Sequence, residues 1–204
     1  MSSASRAACG LVFVSVMAAT APAQAIHPHY GIGGGLSIPT GDFHADANGD
    51  GYNAGWEGMA LLGFKLPGQS AVGVRFDVTY GENAANDKLK ADLTATVGAP
   101  TDSKVKLLGG TVDLTYEFGT SSPAKAYLLA GIGVYNTKLT VTSGNVTADT
   151  SKTKFTWNGG AGLSYGMRGA ALFVEARYYN ISSPFGGTDL RYIPIIAGVR
   201  FGGK

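Results

Sequence analysis

The chain has 204 residues, 16 Lys and Arg against 14 Asp and Glu, and a formal charge of +2. Hydrophobic residues make up 45% and charged ones 15%, which excludes disorder driven by low hydrophobicity or high net charge and the basic patch of a nucleic-acid binder. Glycine, with 31 residues, runs at about twice ordinary usage but lacks the three-residue period of collagen.

The first element is an address. Residues 1–25 carry one charge, Arg6, then small and apolar residues from Ala7 to Ala19, and close on Ala23-Gln24-Ala25. That is the layout of a cleaved secretory signal peptide. The single cysteine, Cys9, lies inside it, so residues 26–204 form an exported domain without disulfides.

From residue 26 onward the period is two rather than 3.6, the alternation of strands. Eight runs are expected, at about Tyr30–Ile38, Asn53–Leu66, Ala71–Gly81, Lys104–Gly119, Lys125–Val141, Lys152–Gly166, Ala171–Ile181 and Leu190–Gly202. Their connections alternate in length. Pro67-Gly68-Gln69-Ser70, Thr120-Ser121-Ser122-Pro123 and Met167-Arg168-Gly169 are short turns built from turn-forming residues. Residues 39–52, 82–103, 142–151 and 182–189 are the long connections. An up-and-down meander gathers the short turns at one end and the long loops at the other, as membrane barrels do.

Each strand has two faces. In the third, Val72, Val74, Phe76, Val78 and Tyr80 lie opposite Gly73, Arg75, Asp77 and Thr79; in the seventh, Leu172, Val174, Ala176 and Tyr178 lie opposite Phe173, Glu175, Arg177 and Tyr179. A soluble ligand-binding barrel turns the apolar face inward, and a membrane barrel turns it outward. Three features favour the second. The polar face is rich in glycine (Gly31, Gly33, Gly35, Gly131, Gly133, Gly160 and Gly162), which suits a narrow lumen and gains nothing in water. Its charges nearly balance, with Glu57, Asp77, Asp113, Glu117 and Glu175 against Lys65, Arg75, Arg177 and Arg200, so an ion-pair network is expected to fill the lumen. Aromatics mark two levels of the apolar face: Tyr30, Phe64, Phe118, Tyr165 and Phe201 toward the short turns, and Trp56, Tyr80, Trp157 and Tyr178 toward the long loops. Lipid interfaces select such belts. Pro194 in the last strand has no N–H to give a ladder, so a bulge or a missing bond is expected there.

Together these residues read as an all-β, eight-stranded antiparallel up-and-down transmembrane barrel. The chain resembles the small outer-membrane β-barrel proteins of Gram-negative bacteria, the OmpA/OmpX-type or opacity-protein-like class. The stretches that carry the resemblance are Tyr30-Gly31-Ile32-Gly33-Gly34-Gly35-Leu36-Ser37-Ile38-Pro39-Thr40-Gly41-Asp42-Phe43, Tyr127-Leu128-Leu129-Ala130-Gly131-Ile132-Gly133-Val134-Tyr135 and Tyr192-Ile193-Pro194-Ile195-Ile196-Ala197-Gly198-Val199-Arg200-Phe201. It implies the cell outer membrane as location and outer-membrane lipid as surroundings. It also implies that the barrel-assembly machinery reads the closing strand, although Gly202-Gly203-Lys204 follow the terminal aromatic Phe201.

Chemistry is sparse. The histidines are His27, His29 and His44, none in a strand beside a serine and an acid, so catalysis is not expected. Asp46-Ala47-Asn48-Gly49-Asp50-Gly51, followed after five residues by Glu57, matches the calcium-loop pattern. Asp46, Asn48, Asp50, the Tyr52 carbonyl and Glu57 would supply the oxygens for Ca²⁺, the one cofactor the sequence raises. That pattern normally joins two helices, and here a strand follows. A structural or surface-interaction role through the external loops leads, a narrow channel or transporter is the alternative, and a soluble periplasmic binding barrel is third. The sequence names no external partner.

Overall fold

The computed structural model describes residues 28–68, 71–119 and 122–202; the expected signal peptide, residues 1–25, and His27 lie outside them. Eight antiparallel strands close into one barrel in chain order: β1 (Pro28–Thr40), β2 (Gly55–Lys65), β3 (Val72–Ala84), β4 (Thr101–Phe118), β5 (Ala124–Ser143), β6 (Val146–Met167), β7 (Ala170–Ile181) and β8 (Leu190–Gly202). One 3-10 turn, Gly41–Phe43, and one helix, α1 (Asp87–Val97), join them.

The stagger follows from the register. Tyr30 pairs with Leu62, Leu62 with Phe76, Phe76 with Val112, Val112 with Ile132, Ile132 with Trp157, Trp157 with Asn180, Asn180 with Arg191, and Arg191 returns to Thr40. One circuit therefore climbs ten residues along β1. With ~3.3 Å per residue and ~4.8 Å between strands, that stagger tilts the strands about 40° and sets a radius of about 8 Å. Such a bore is filled by side chains.

Alternation then sorts every strand. Ile32, Leu114 and Ile132 point outward, each 58–66% exposed, while Arg75, Asp113 and Glu175 point inward at 0–3%. The protein thus exposes its apolar face and buries its charges, the inverse of a soluble barrel. Aromatic contacts link neighbouring strands at both levels: Tyr30 with Phe201 at 5.8 Å near the short turns, and Trp56 with Tyr80 and Trp157 with Tyr178 at 5.5 Å near the loops. The 13 residues of β1, β3 and β8 rise about 30 Å along the axis, enough for an apolar band of about 25 Å.

Two connections differ from the expectation. Residues 142–151 are no loose loop: β5 and β6 run on as a ribbon to the pair Ser143–Val146. A two-residue turn closes it, with Gly144 at φ +55°, the backbone a tight hairpin turn requires. Within residues 142–151 the threonine-rich ribbon holds only Val146 and Ala148 as apolar residues, too few for its strand period to carry a hydrophobic signal. Residues 82–103 hold the helix. Asn86 caps it, its side chain accepting from the Leu89 N–H at 2.8 Å, and Gly98 ends it in the left-handed region at φ +77°, the usual device at each end. No residue of α1 is buried, so it shows no apolar stripe to reveal it. At Pro194 the β7–β8 register is unshifted, but pairing skips from Ala176–Ile195 to Tyr179–Tyr192. The proline leaves a gap in the ladder, not a bulge.

Candidate functional site

The lumen is filled in three storeys. The middle one is ionic. Arg75 grips Glu175 with both Nη atoms, at 2.8 and 2.9 Å, and its Nε donates to Asp77 at 3.0 Å. Arg177 donates to Glu175 and to Asp77, reaches Asp113 at 3.3 Å, and donates to the Tyr179 hydroxyl at 2.9 Å. Tyr127 donates to Glu175 at 2.9 Å, and Asn158 and Thr111 donate to Asp113 at 2.7 and 2.8 Å. The planar guanidinium fork suits such shared, bidentate contacts. Alternation dictates the grouping, because Arg75 and Asp77, and Glu175 and Arg177, are two apart on one strand and so share a face.

The storey toward the long loops is aromatic. Tyr135, Tyr179 and Tyr192 are 0–1% exposed. Tyr179 stacks on Tyr192 at 5.2 Å, Tyr135 meets Tyr179 edge-on at 5.5 Å, and the Tyr192 hydroxyl donates to that of Tyr135 at 3.0 Å. Phe43, delivered by the 3-10 turn, packs on this cluster with Val105, Leu107, Ile181 and Leu190. Glycines opposite make room for the rings: a Cβ on Gly109 would overlap the ring of Tyr135, and one on Gly162 that of Tyr127.

The storey at the short-turn mouth is cationic. Glu117 receives Lys65 at 2.7 Å, Lys125 at 3.4 Å and Arg200 at 3.4 Å. Met59, Leu61, Phe173 and Ile196 form a separate apolar cluster in the wall below the tyrosines.

The nine charged residues expected in one network all face inward but fall into two groups and a remainder. Arg75, Asp77, Asp113, Glu175 and Arg177 are joined; Lys65, Glu117 and Arg200 are joined elsewhere. Glu57, 2% exposed, has no ion-pair partner among the described residues. Register explains its isolation: Glu57 lies beside Gly35 and Gly81, at the level of the tyrosines. Lys125 stands outside the expected set, though its alternation with Tyr127 and Leu129 places it on the same face. The tyrosine plug is likewise absent from the expectation, and its signal is Tyr179 and Tyr192 on the faces that carry Arg177 and Arg200.

The residues of the calcium-loop pattern take up separate contacts. Asp46 Oδ1 accepts from the N–H groups of Asn48 and Asp50 at 2.7 and 3.0 Å, closing a turn on itself. The Tyr52 hydroxyl pairs with Ser103 at 3.0 Å. Glu57 points into the lumen because β2 has begun by Gly55 and odd positions face inward. Asp46, Asn48, Asp50, Tyr52 and Glu57 are therefore not gathered, and among the described residues no cluster of three His, Cys, Asp or Glu is placed to hold a metal ion.

An ordered cap covers the loop end. Asn83 donates to the carbonyls of Ser37 and Asn53 at 3.1 and 3.0 Å, and Asn86 donates to that of Gly49 at 2.9 Å. These bonds tie the first loop to β1, β3 and α1. A cleft of about 290 Å³ opens between this cap and the β7–β8 loop, with Asp42, Asp46 and Asp189 above Phe43, Tyr52 and Phe185. Hydrogen bonding to the Asn180 side chain and to Ser183 holds the Asp189 carboxyl below the usual carboxylate range, whereas desolvation and the nearby Asp92 push that of Asp50 up.

A family model described as outer membrane protein beta-barrel domain matches residues 9–201. Among solved structures, Neisserial surface protein A (NspA) is 21% identical, with a TM-score of 0.57 over 85% of this chain and 96% of that one. Ail, the attachment invasion locus protein of Yersinia pestis, solved with the heparin analogue sucrose octasulfate, is 15% identical with a TM-score of 0.54, over 86% and 99% of the two chains. A major outer membrane protein from Thermus thermophilus is 12% identical with a TM-score of 0.60, over 88% and 100%. At these identities the likeness is one of fold. No curated protein matches the chain.

Proposed function

The chain belongs to the outer membrane protein β-barrel family, and from that premise we propose a structural or surface-interaction role carried by its outer cap and ribbon, not by its lumen. The observation that supports this is the fill of the bore. Three fully buried tyrosines stand over two bidentate-capable arginines locked among three carboxylates. Passage would require breaking both storeys at once. Everything shaped for contact lies outside: the ribbon of β5 and β6, helix α1, and the cleft under the β7–β8 loop. The role is a non-catalytic one. Residues 1–25 serve as the cleaved export signal in this proposal, and the barrel-assembly machinery inserts the domain by way of its closing strand.

Planar-bilayer recording separates this role from a channel. The native protein is expected to give no discrete currents at any voltage the bilayer tolerates. Reproducible unitary currents, reduced when Gly133 is replaced by a bulky lumen-facing residue, would contradict the proposal and favour a narrow pore.

A further inference from the structure

Two cavities meet at the short-turn rim. The first, about 180 Å³, lies inside the mouth and is lined by His29, Lys65, Glu117, Lys125, Ser164 and Arg200. The second, about 420 Å³, is a groove on the outer wall across β5, β6 and β7, lined by Ala124, Ala126, Leu163, Tyr165, Leu172 and Val174. Lys125 and Ser164 line both. An apolar groove open to hydrocarbon thus runs into a cationic mouth.

The mouth has charge to spare. Among the described residues three cations converge on Glu117 alone, which leaves two of those positive charges uncompensated, while in the middle storey two arginines face three carboxylates. Lys125 and Arg200 keep 30% and 17% of their side-chain surface open, so they can take a further anion, while the buried Lys65 ammonium holds Glu117. Small residues dominate the adjoining rim: Gly166, Gly169, Ala170, Ala171 and Gly202 stand beside Pro123 and Met167. Tyr30, Phe64, Phe118 and Phe201 place this rim at head-group height.

We propose that this composite site binds one phospholipid of the inner leaflet. Its anionic phosphate sits over the rim between Lys125 and Arg200, with the Lys65 charge behind them, and an acyl chain lies in the groove between Ala126 and Leu172. Guanidinium and ammonium donors are the usual phosphate partners. The groove starts at the rim with Ala124, Tyr165 and Leu172 and continues one outward-facing level up the wall to Ala126, Leu163 and Val174, where the first part of a chain below its head group would lie. The site rests on the outer-membrane placement of the barrel and on nothing else in the functional proposal.

The test is calorimetric titration of the full barrel in maltoside detergent with short-chain phosphatidylglycerol and, separately, with inorganic phosphate. One lipid per barrel is expected, bound more tightly than phosphate. Lys125→Gln with Arg200→Gln should weaken the lipid about tenfold or more, as loss of charge-assisted hydrogen bonds implies. Ala126→Trp, which fills the groove and adds to the aromatic belt, should weaken the lipid and leave phosphate binding unchanged. If the double variant does not fold, as judged by heat-modifiable mobility, the Ala126→Trp result decides. Equal lipid binding by native and variant barrels would overturn the site, and phosphate bound as tightly as lipid would show that the groove contributes nothing and overturn it equally. A non-conducting barrel that binds no lipid defeats this site alone, whereas unitary currents defeat the functional proposal alone.

Discussion

Replacing Arg177 with Leu is expected to destabilise the folded barrel by about 3–5 kcal/mol, the scale for removing one partner of a buried charge cluster. Arg177 is 3% exposed and touches Glu175, Asp77, Asp113 and Tyr179. Without it, three buried carboxylates face the single guanidinium of Arg75. The tyrosine plug above shields them from water on the loop side. Arg177→Lys returns the charge but not the fork, and should recover part of the loss. By contrast Lys104→Ala, which breaks a pair with Glu82 on the outer surface, should cost under about 1 kcal/mol. Urea midpoints of reversible folding in detergent or thin bilayers read all three. A midpoint for Arg177→Leu within error of the native value would show that the ionic storey does not hold the barrel together.

A second large effect joins a glycine to a ring. Gly109→Ala is expected to cost about 1–3 kcal/mol, the range for overpacking a filled core, because the new Cβ would overlap the Tyr135 ring. Tyr135→Ala alone should cost about 3–5 kcal/mol, as for other buried aromatics. Together the two should cost little more than Tyr135→Ala alone, since the methyl then enters the space the ring has left. The non-additivity of that cycle is the measurement. Additive losses would mean that Tyr135 does not sit over Gly109. Tyr135 at 0% exposure and its bond to Tyr192 make it the keystone of the plug, so the same cycle reports on the seal of the lumen.

Much of this was legible in the residues. The side-chain period of a strand is two, so one apolar residue fixes the facing of its neighbours: Val74, Phe76 and Val78 outward oblige Arg75 and Asp77 inward. That rule placed all eight strands, both aromatic belts and the inward set of charges. It does not say which charge meets which, because partners across the bore are fixed by the ten-residue stagger, and the stagger is a sum over eight registers that no local pattern encodes. Hence Arg75 and Glu175 meet, and Glu57 stands apart at the level of the tyrosines.

The loops were less legible for different reasons. Helix α1 buries nothing, so it lacks the apolar stripe by which helices are read, and only Asn86 and Gly98 mark its ends. The β5–β6 ribbon extends into water, where neither face needs apolar residues. The calcium pattern is a run of ordinary loop residues whose last member, Glu57, lies inside β2 and faces the lumen.

The central claim is that the apolar face meets lipid while the polar face fills the bore. The two tryptophans test it without any mutation, since Trp56 and Trp157 both lie on the outer face, 51% and 46% exposed. In bilayers of brominated lipid their fluorescence should be quenched, most strongly when bromine is placed near the head group, and only weakly by acrylamide from water. Tryptophans that ignore the depth of the bromine, in a protein that stays in solution without detergent, would turn the barrel inside out and contradict the account.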